Sequence, residues 1–324
     1  MRRILLAAIV AVGLVLVGFV LVGPWFDVAS RSAGEQPVIL TIARGDTLTV
    51  AAEKLRRAKL VSSPSRFLLL ARILGPHHSI KAGEYGFYPS DGWRTYLVTM
   101  QSGRSIERLV TIPEGMPSIL VYERLMRVPA LTGTIAVPAE GSVLPDSYSY
   151  QRGESRQAVL GRMQDAMTRT LDKLWRERKP QNVVGSEREA LILASIVEKE
   201  TGKASERRMV AGVYSNRLRQ GMKLDADPTV IYPITKGKAL GRRIRLSELR
   251  ADNGYNTYVM TGLPAGPIAN PGRDSIAAVL DPAQTDALFF VADGTGGHAF
   301  AATLAEHEAN RRKWYELRRA RGEM

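Results

Sequence analysis

The sequence contains no cysteine, and it has only four histidines and four tryptophans among 324 residues. Without cysteine the chain has no disulfide, no thiolate nucleophile and no cysteine-ligated metal site, so its core alone must stabilise the fold. His298 and His307 have no carboxylate cluster at ligand spacing beside them. We therefore expect neither a metal nor any other cofactor.

Acidic residues are also scarce relative to basic ones, with 32 Asp and Glu against 45 Lys and Arg, which gives a net charge of +13. This charge suits an anionic partner, whether nucleic acid, an anionic bilayer or an acidic polymer, and does not choose among them. Apolar residues at 45% and charged residues at 24% are ordinary for a folded protein. The length suits one large domain or two modest ones.

A long apolar run stands at the N-terminus. Residues 4–26 are uncharged and can cross a bilayer as a helix, with Arg2 and Arg3 before them and Asp27 after them. The positive-inside rule then leaves the N-terminus in the cytoplasm and places everything after residue 26 outside, which argues against nucleic acid as the partner. A signal peptide cleaved near residues 28–30 is the alternative interpretation.

The next part of the chain predicts a polar linker over residues 27–37 and a small subdomain over residues 38–106. Within the subdomain, a strand, a Gly45–Asp46 turn, two short helices and a second strand follow one another. This order resembles a LysM-type module, which would imply binding of N-acetylated sugar chains. A small structural subdomain is the alternative.

Residues 107–324 predict a second domain built from helices, short strands and long loops, so the expected fold class is α+β. Amphipathic helices are indicated over residues 155–178, from Ser186 onward, and up to Gly221. After Gly221 the chain is rich in Gly, Pro, Asn and Tyr, and we expect it to be loop-dominated. Long loops on a helical scaffold are where binding and catalysis are commonly found.

The helix that begins after Ser186 carries the candidate catalytic acid. Ser186 and Glu189 form a capping-box pattern at its start. One face of the helix combines small and apolar residues with a single acid: Leu191, Ala194, Ser195, Glu198, Thr201 and Gly202. An apolar cleft floor would raise the pKa of Glu198, so we predict that Glu198 is a general acid. The alternative is a solvated surface acid.

Two neighbours of Glu198 offer other chemistry. Glu200 lies about 200° around the helix from Glu198, so both cannot face one small site. We choose Glu198 because of its small neighbours. Ser195 and Lys199 are four residues apart and could form a nucleophile pair, but no oxyanion motif accompanies them. The basic stretch from Arg311 to Arg321 predicts a solvated helix face, with contact to anionic lipid as the alternative.

Three later segments contain side chains that suit a sugar site. Aromatic rings can stack on pyranose faces, while Asn, Thr and Asp can bond hydroxyl and acetamido groups. With Ser195 on the Glu198 face, the predicted substrate-binding residues are Asp227, Thr229, Tyr232, Tyr255, Asn256, Thr257 and Tyr258. The same residue types are common in turns for local backbone reasons, which is the alternative interpretation.

These segments together carry a family resemblance. In the order of a family pattern the sequence contains residues 193–201, Asp-Pro-Thr-Val-Ile-Tyr at 227–232, Tyr-Asn-Thr-Tyr at 255–258, residues 262–272, and residues 290–300. Glu140–Gly141 and residues 144–148 fit too, although Ser142 and Ser147 depart from the usual residues. Over residues 38–307 the chain resembles the YceG-like endolytic murein transglycosylases.

The resemblance implies a single-pass enzyme of the bacterial inner membrane that cuts peptidoglycan strands internally, with cell-wall synthases as possible partners. It places the catalytic residue at Glu198. A lytic transglycosylase can act with one acid, because the muramic acid C6 hydroxyl attacks its own anomeric carbon. We expect Asp227 to shape a loop or orient substrate. A non-catalytic glycan-binding scaffold is the alternative, and a water-adding hydrolase would make Asp227 a base.

Overall fold

A computed structural model describes residues 36–323, and the chain divides into two compact units after Arg108. The architecture is α+β, with helices and short two-stranded sheets, as the sequence predicts. Among the described residues, no helix is long and apolar enough to span a membrane. The predicted membrane helix over residues 4–26 lies outside that part of the chain.

The first unit consists of one strand pair and three helices. Its elements are β1 (Val38–Ile42), α1 (Leu48–Arg57), α2 (Pro64–Leu74), β2 (Gly83–Phe87) and α3 (Trp93–Ser102). β1 and β2 pair antiparallel, with Val38 opposite Phe87 and Ile42 opposite Gly83. The strand–helix–helix–strand order matches the prediction, while the LysM likeness itself stays a prediction.

Local sequence explains these helices. Thr47 caps α1 through its side chain, which accepts a hydrogen bond from the Val50 N–H, and Ser63 caps α2 in the same way just before Pro64. The apolar faces then meet in a core that includes Leu55 and Phe67, which are 0% and 2% exposed. This unit has its own buried core.

The second unit holds the remaining elements, and its strands are short. They are β3 (Arg108–Thr111), α4 (Ser118–Met126), β4 (Ser147–Tyr150), α5 (Arg156–Arg176), α6 (Glu187–Glu200), α7 (Arg207–Arg219), α8 (Asp227–Thr235), α9 (Leu246–Leu249), α10 (Arg273–Leu280), β5 (Phe289–Ala292), β6 (His298–Ala301) and α11 (Leu304–Ala320). β3 pairs with β4, and β5 pairs antiparallel with β6.

The helix α6 is the centre of the second unit and packs against α5, α7, α8 and α10. The Ser186 Oγ accepts a hydrogen bond from the Glu189 N–H at 3.2 Å, which confirms the predicted helix start. Seven of its fourteen residues are buried, including Leu193 and Ile196. A buried Leu, Ile or Val side chain contributes about 1.5–3 kcal/mol to stability because it is removed from water. A helix buried this far can fix side chains rigidly at its end.

The prediction that the chain after Gly221 is loop-dominated was wrong for three segments before β5. Residues 227–235 form α8, residues 246–249 form α9 and residues 273–280 form α10. Pro228 stands in the first turn of α8, where a missing N–H costs nothing, so this proline starts a helix instead of breaking one. Pro233 lies within the same helix. The Pro and Asp that indicated a loop are therefore helix-start residues.

Candidate active site

The predicted acid Glu198 lies in the last turn of α6 and faces the start of α10. Its Oε2 accepts hydrogen bonds from the Gly272 N–H at 2.9 Å and from the Ser275 hydroxyl at 2.7 Å. Gly272 is the N-cap of α10, so these donors belong to the positive end of that helix. The Glu198 side chain is only 6% exposed. Its carboxylate is thus bound within the protein as the cap of another helix.

Charged groups surround Glu198 on its other side. The Arg207 guanidinium lies 3.9 Å from Glu198 Oε1 and donates a hydrogen bond to Glu114 Oε2 at 2.9 Å. Burial raises the pKa of Glu114, and the neighbouring Glu198 charge raises it further. Glu198 therefore joins the 113–117 turn, α7 and α10 in one ionic network.

The small residues on the helix face of Glu198 are packed inside the protein. Ala194 and Ser195, which share its helix face, are both fully buried in the core. The Ser195 hydroxyl donates to the Ile192 carbonyl at 2.7 Å and accepts from the Ile268 N–H at 3.0 Å. Because both interactions are internal, Ser195 fixes the 262–272 segment and is not positioned to contact a ligand.

Glu200 lies at the C-terminus of α6, on the side opposite Glu198. Burial raises the pKa of Glu200 to about 7; the Asp227 charge also raises it, whereas the Tyr214 hydroxyl and the Arg217 guanidinium act in the opposite direction. The negative end of the α6 dipole further disfavours a carboxylate at this position. Glu200 is therefore a carboxyl group that can hold and release a proton near neutral pH.

The segments predicted to bind sugar converge near Glu200. Asp227 begins α8, and its Oδ1 accepts a hydrogen bond from the Tyr258 hydroxyl at 2.7 Å. Burial raises the pKa of Tyr258, and the adjacent Asp227 raises it further, so the phenol remains a donor. Tyr258 also interacts electrostatically with Glu200. One neighbourhood thus combines a protonatable carboxyl, a carboxylate and a phenol.

Three of the predicted substrate-binding residues are fully buried instead. Thr229, Asn256 and Thr257 are each 0% exposed. The hydroxyls of Thr229 and Thr257 lie 2.9 Å apart, and the Ala226 N–H donates to Thr257 Oγ1 at 3.0 Å. The Asn256 amide donates to three backbone carbonyls at 2.9–3.2 Å, those of Glu248, Leu249 and Ala251. Their positions favour a role in fixing the loops, and direct substrate contact stays a prediction for Asp227, Tyr232, Tyr255 and Tyr258.

A half-buried aromatic pair lies farther along α8. The rings of Tyr232 and Tyr255 have centroids 5.0 Å apart and planes inclined at 44°. Beside them is Glu140, whose Oε1 accepts from the Ser118 N–H at 2.9 Å and whose pKa is raised by burial. Flat, partly exposed rings next to hydrogen-bonding groups suit the faces and edges of sugar rings.

Sequence reasoning considered Glu200 but preferred Glu198, and it missed two residues that act on Glu200. Tyr214 and Arg217 stand three apart on α7, so they share a face, and both are buried. In the sequence, the available signal was a tyrosine and an arginine three residues apart on a predicted helix. Only the packing of α7 against α6 shows that they face Glu200. Among residues 36–323, no group of three or more His, Asp or Glu side chains could hold a metal ion.

Comparison with known proteins gives relatives of one kind. The chain is 34% identical to an endolytic murein transglycosylase of Bacillus subtilis over 177 residues, which are 55% of this chain and 48% of the relative. It is 27% identical to an endolytic murein transglycosylase of Streptococcus pneumoniae over 322 residues, 84% of this chain and 57% of the relative. The chain thus spans about half the length of these curated relatives.

A solved structure is similar as well. The crystal structure of a yceG-like protein from Listeria monocytogenes matches with a TM-score of 0.51 and 26% identity, covering 85% of this chain and 99% of that one. The YceG-like family model matches residues 40–313, which include every segment that forms the site described above. The chain therefore belongs to the YceG-like family.

Proposed function

We propose that this protein is an endolytic lytic transglycosylase of peptidoglycan, which cuts the MurNAc–GlcNAc bond within glycan strands. Family membership and the activity for which the curated relatives are named support the reaction class. The observation that carries the proposal for this chain is a carboxyl group with a pKa of about 7, Glu200, beside Asp227 and Tyr258. A proton donor must hold its proton at working pH, and this group does.

Glu200 is a better candidate for the donor than the predicted Glu198. The Glu198 carboxylate is occupied by the Gly272 N–H and the Ser275 hydroxyl, and it lies on the far side of α6 from Asp227 and Tyr258. The oxygen that accepts these two hydrogen bonds serves the start of α10 and is not available to a substrate. We therefore assign Glu198 to holding α10 against α6 and Glu200 to the chemistry.

The reaction needs one acid and no water. Glu200 donates its proton to the glycosidic oxygen as the bond from C1 of muramic acid to that oxygen breaks. The C6 hydroxyl oxygen of the same sugar then bonds to C1, and its proton passes to the Glu200 carboxylate. Glu200 ends as it began, and the product carries a 1,6-anhydro ring. Because the attacking C6 hydroxyl belongs to the same sugar, it is already close to C1, and no external nucleophile is needed.

The remaining groups have supporting roles in this proposal. Asp227 accepts the Tyr258 hydrogen bond and, as an exposed carboxylate, can bind a sugar hydroxyl. The Tyr232–Tyr255 pair, carried by the same helix and the same loop, offers faces for a neighbouring sugar. An extended strand could thus contact α8 along its length, which suits cleavage within a chain.

The remaining proposals concern location and partners. We assign residues 4–26 to a single membrane anchor, with the two units on the outer side of the bacterial inner membrane. The small unit over residues 38–106 is proposed as a LysM-like glycan-binding module. Nascent peptidoglycan made by cell-wall synthases is the proposed substrate, which makes those synthases the expected partners.

The test is to incubate the full chain with uncrosslinked glycan strands and to determine the masses of the products. Internal fragments ending in anhydro-muramic acid, abolished by Glu200→Gln in a protein that still folds, are the expected result. Unchanged strands would indicate the non-catalytic scaffold. Reducing ends that contain an added water would indicate a hydrolase and give Asp227 the role of base.

A further inference from the structure

Arg217 is a buried charge that the proposed chemistry does not use. It lies on α7 and is only 9% exposed. Burying a guanidinium is costly unless its donors are satisfied. Arg217 Nε donates to the Leu288 carbonyl at 2.7 Å, and its charge lies over the Phe289 ring, 5.3 Å from the centroid. The side chain is therefore fixed between α7 and β5.

The other arm of Arg217 holds the turn that leads into α8. Arg217 Nη1 donates to the carbonyls of Lys223 and Leu224, at 3.1 Å and 3.0 Å, and to Asp225 Oδ2 at 3.1 Å. Asp225 has a φ of 51°, in the left-handed region, which is uncommon for residues other than glycine but which aspartate adopts more readily than most. The Arg217 hydrogen bonds hold the turn in this conformation.

The same turn is fixed from its other side by the 255–258 loop. The Asp225 N–H donates to the Thr257 carbonyl at 3.3 Å, and the next residue, Ala226, donates to the Thr257 hydroxyl. Asp227 follows directly and begins α8. The position of the Asp227 carboxylate relative to Glu200 is thus set by the turn that Arg217 holds.

Arg217 also faces Glu200 electrostatically. The charged and titratable groups that act on Glu200 are Tyr214 and Arg217 from α7, Asp227 from α8 and Tyr258 from the loop after α9. Arg217 is the cation in this set, and it is itself paired with Asp225. Removing Arg217 makes the net charge beside Glu200 more negative, and removing Asp225 makes it more positive.

We infer that Arg217 is a positioning residue of the active site, which holds the Lys223–Asp225 turn, and with it the Asp227 carboxylate at the start of α8, in place beside Glu200. The inference rests on the proposed function of Glu200. It requires no contact between Arg217 and substrate. A purely structural arginine would lower the rate equally at every pH, whereas this one moves the pH profile.

The test compares the full chain with Arg217→Met, Arg217→Lys and Asp225→Asn variants. Two readouts are used: the rate of glycan cleavage between pH 5 and 9, and the titration of the Glu200 carboxyl carbon by NMR, assigned by its loss in Glu200→Gln. Arg208 lies on the same helix, is largely exposed and pairs with Asp281 at 2.9 Å. Arg208→Met is therefore the matched control.

Arg217→Met should raise the midpoint of both profiles by about one pH unit, because a cation that favoured the carboxylate is lost. Asp225→Asn should lower it, since Arg217 is left without its acid. Arg217→Lys retains the charge and should keep the midpoint near that of the wild type, but its rate should fall, because one ammonium group cannot replace both arms of the guanidinium. Arg208→Met should match the wild type in both. Equal loss of rate at all pH values with an unmoved midpoint would overturn the inference. If Arg217→Met does not fold, Asp225→Asn provides the test: a lower midpoint supports the inference, and an unmoved midpoint overturns it.

The two readouts separate this inference from the proposed function. If the wild type leaves glycan strands uncut, the proposed function fails, but the NMR midpoints still report whether Arg217 acts on Glu200. If the wild type cuts glycan and the midpoints stay unmoved in both Arg217→Met and Asp225→Asn, only the role of Arg217 fails.

Discussion

Two glutamates only two residues apart end α6 in opposite surroundings. The helical period places them about 200° from each other. Glu198 meets the N-terminal N–H groups of α10, while Glu200 stays at the C-terminal end of its own helix beside Tyr214 and Asp227. The first environment binds an anion, and the second favours a neutral acid. One chemical group thus lies in two different environments at two helix ends.

The Glu198→Gln and Glu200→Gln variants should therefore separate stability from activity. Glu198→Gln removes the anion that accepts two hydrogen bonds at the start of α10, and we expect a loss of about 1–3 kcal/mol in the free energy of unfolding. Near pH 7, Glu200→Gln should not lower the free energy of unfolding, because the variant avoids ionising a buried acid, yet it should lower the cleavage rate by about 10²–10⁴-fold. Urea unfolding and cleavage rates measured on the same preparations check both.

The reverse pattern would restore the assignment made from sequence alone. If Glu198→Gln abolished cleavage while unfolding as the wild type does, the helix-cap role proposed for Glu198 would be wrong. Glu187→Gln, in the first turn of the same helix, is the control for a general effect of charge on α6.

The pH dependence follows from the raised pKa of Glu200. Its pKa is about 7 in the folded protein and 4.5 for an unperturbed glutamate, as in the unfolded chain. Between these pH values the folded protein therefore binds more protons than the unfolded chain does. This contribution to stability is complete below pH 4.5 and is lost as the pH rises through about 7. The catalytic rate should fall over the same upper range, about tenfold per unit above pH 7, because the donor loses its proton.

Unfolding free energies of the wild type and Glu200→Gln, measured from pH 4 to 9, check this sign. The stability of the wild type should decline relative to the variant between pH 4.5 and 7, by an amount on the order of 3 kcal/mol for a shift of 2.5 units. Parallel curves for the two proteins would contradict the raised pKa.

At the scale of elements, the helix α8 arranges the site. It begins at Asp227, near Glu200, and one and a half turns later it carries Tyr232, which lies against Tyr255. The loop after α9 runs alongside α8 in the opposite direction, with Tyr258 at Asp227 and Tyr255 at Tyr232. Buried hydroxyls of Thr229 and Thr257 join the helix and the loop. These buried hydroxyls thus fix the position of the loop relative to α8.

Thr257→Val tests that arrangement, since valine keeps the shape and removes the hydroxyl. The Ala226 N–H and the Thr229 hydroxyl would lose a buried partner, which should cost about 1–3 kcal/mol of stability. Displacement of Asp227 and Tyr258 should also weaken glycan binding. Thr168→Val, which removes an exposed hydroxyl on α5, is the control. Calorimetric binding of a soluble glycan strand and thermal unfolding measure both effects.

The sequence predicted α6 well and the site only in part, for physical reasons. A capping box and a long apolar run are local signals, and Ser186 and Glu189 do form the start of the helix. The choice between Glu198 and Glu200 depends on which neighbouring helix end each meets, and no local pattern records that. Pro228 and Asp227 were interpreted as loop residues because the same types start helices and form turns.

At the scale of the whole molecule, residues 36–323 form one cluster of buried side chains in the first unit and two in the second, and the sequence has no cysteine to cross-link them. The core of the first unit includes Leu55, Phe67 and Tyr85, while that of the second includes Leu193 and Ile276. Because each core lies within one unit, a cavity made in one should loosen mainly that unit.

Phe67→Ala is the corresponding test. Phe67 is 2% exposed, and removing its ring should cost about 3–5 kcal/mol. Hydrogen exchange measured by mass spectrometry should then show lost protection in residues 38–102, while protection across α6 and α7 stays at the wild-type level. Leu193→Ala, at the centre of the second core, should give the opposite pattern and abolish cleavage, because α6 carries Glu200. Uniform loss of protection along the chain in both variants would show that the two cores unfold together, and the first unit would then be part of the catalytic fold, not a separate module.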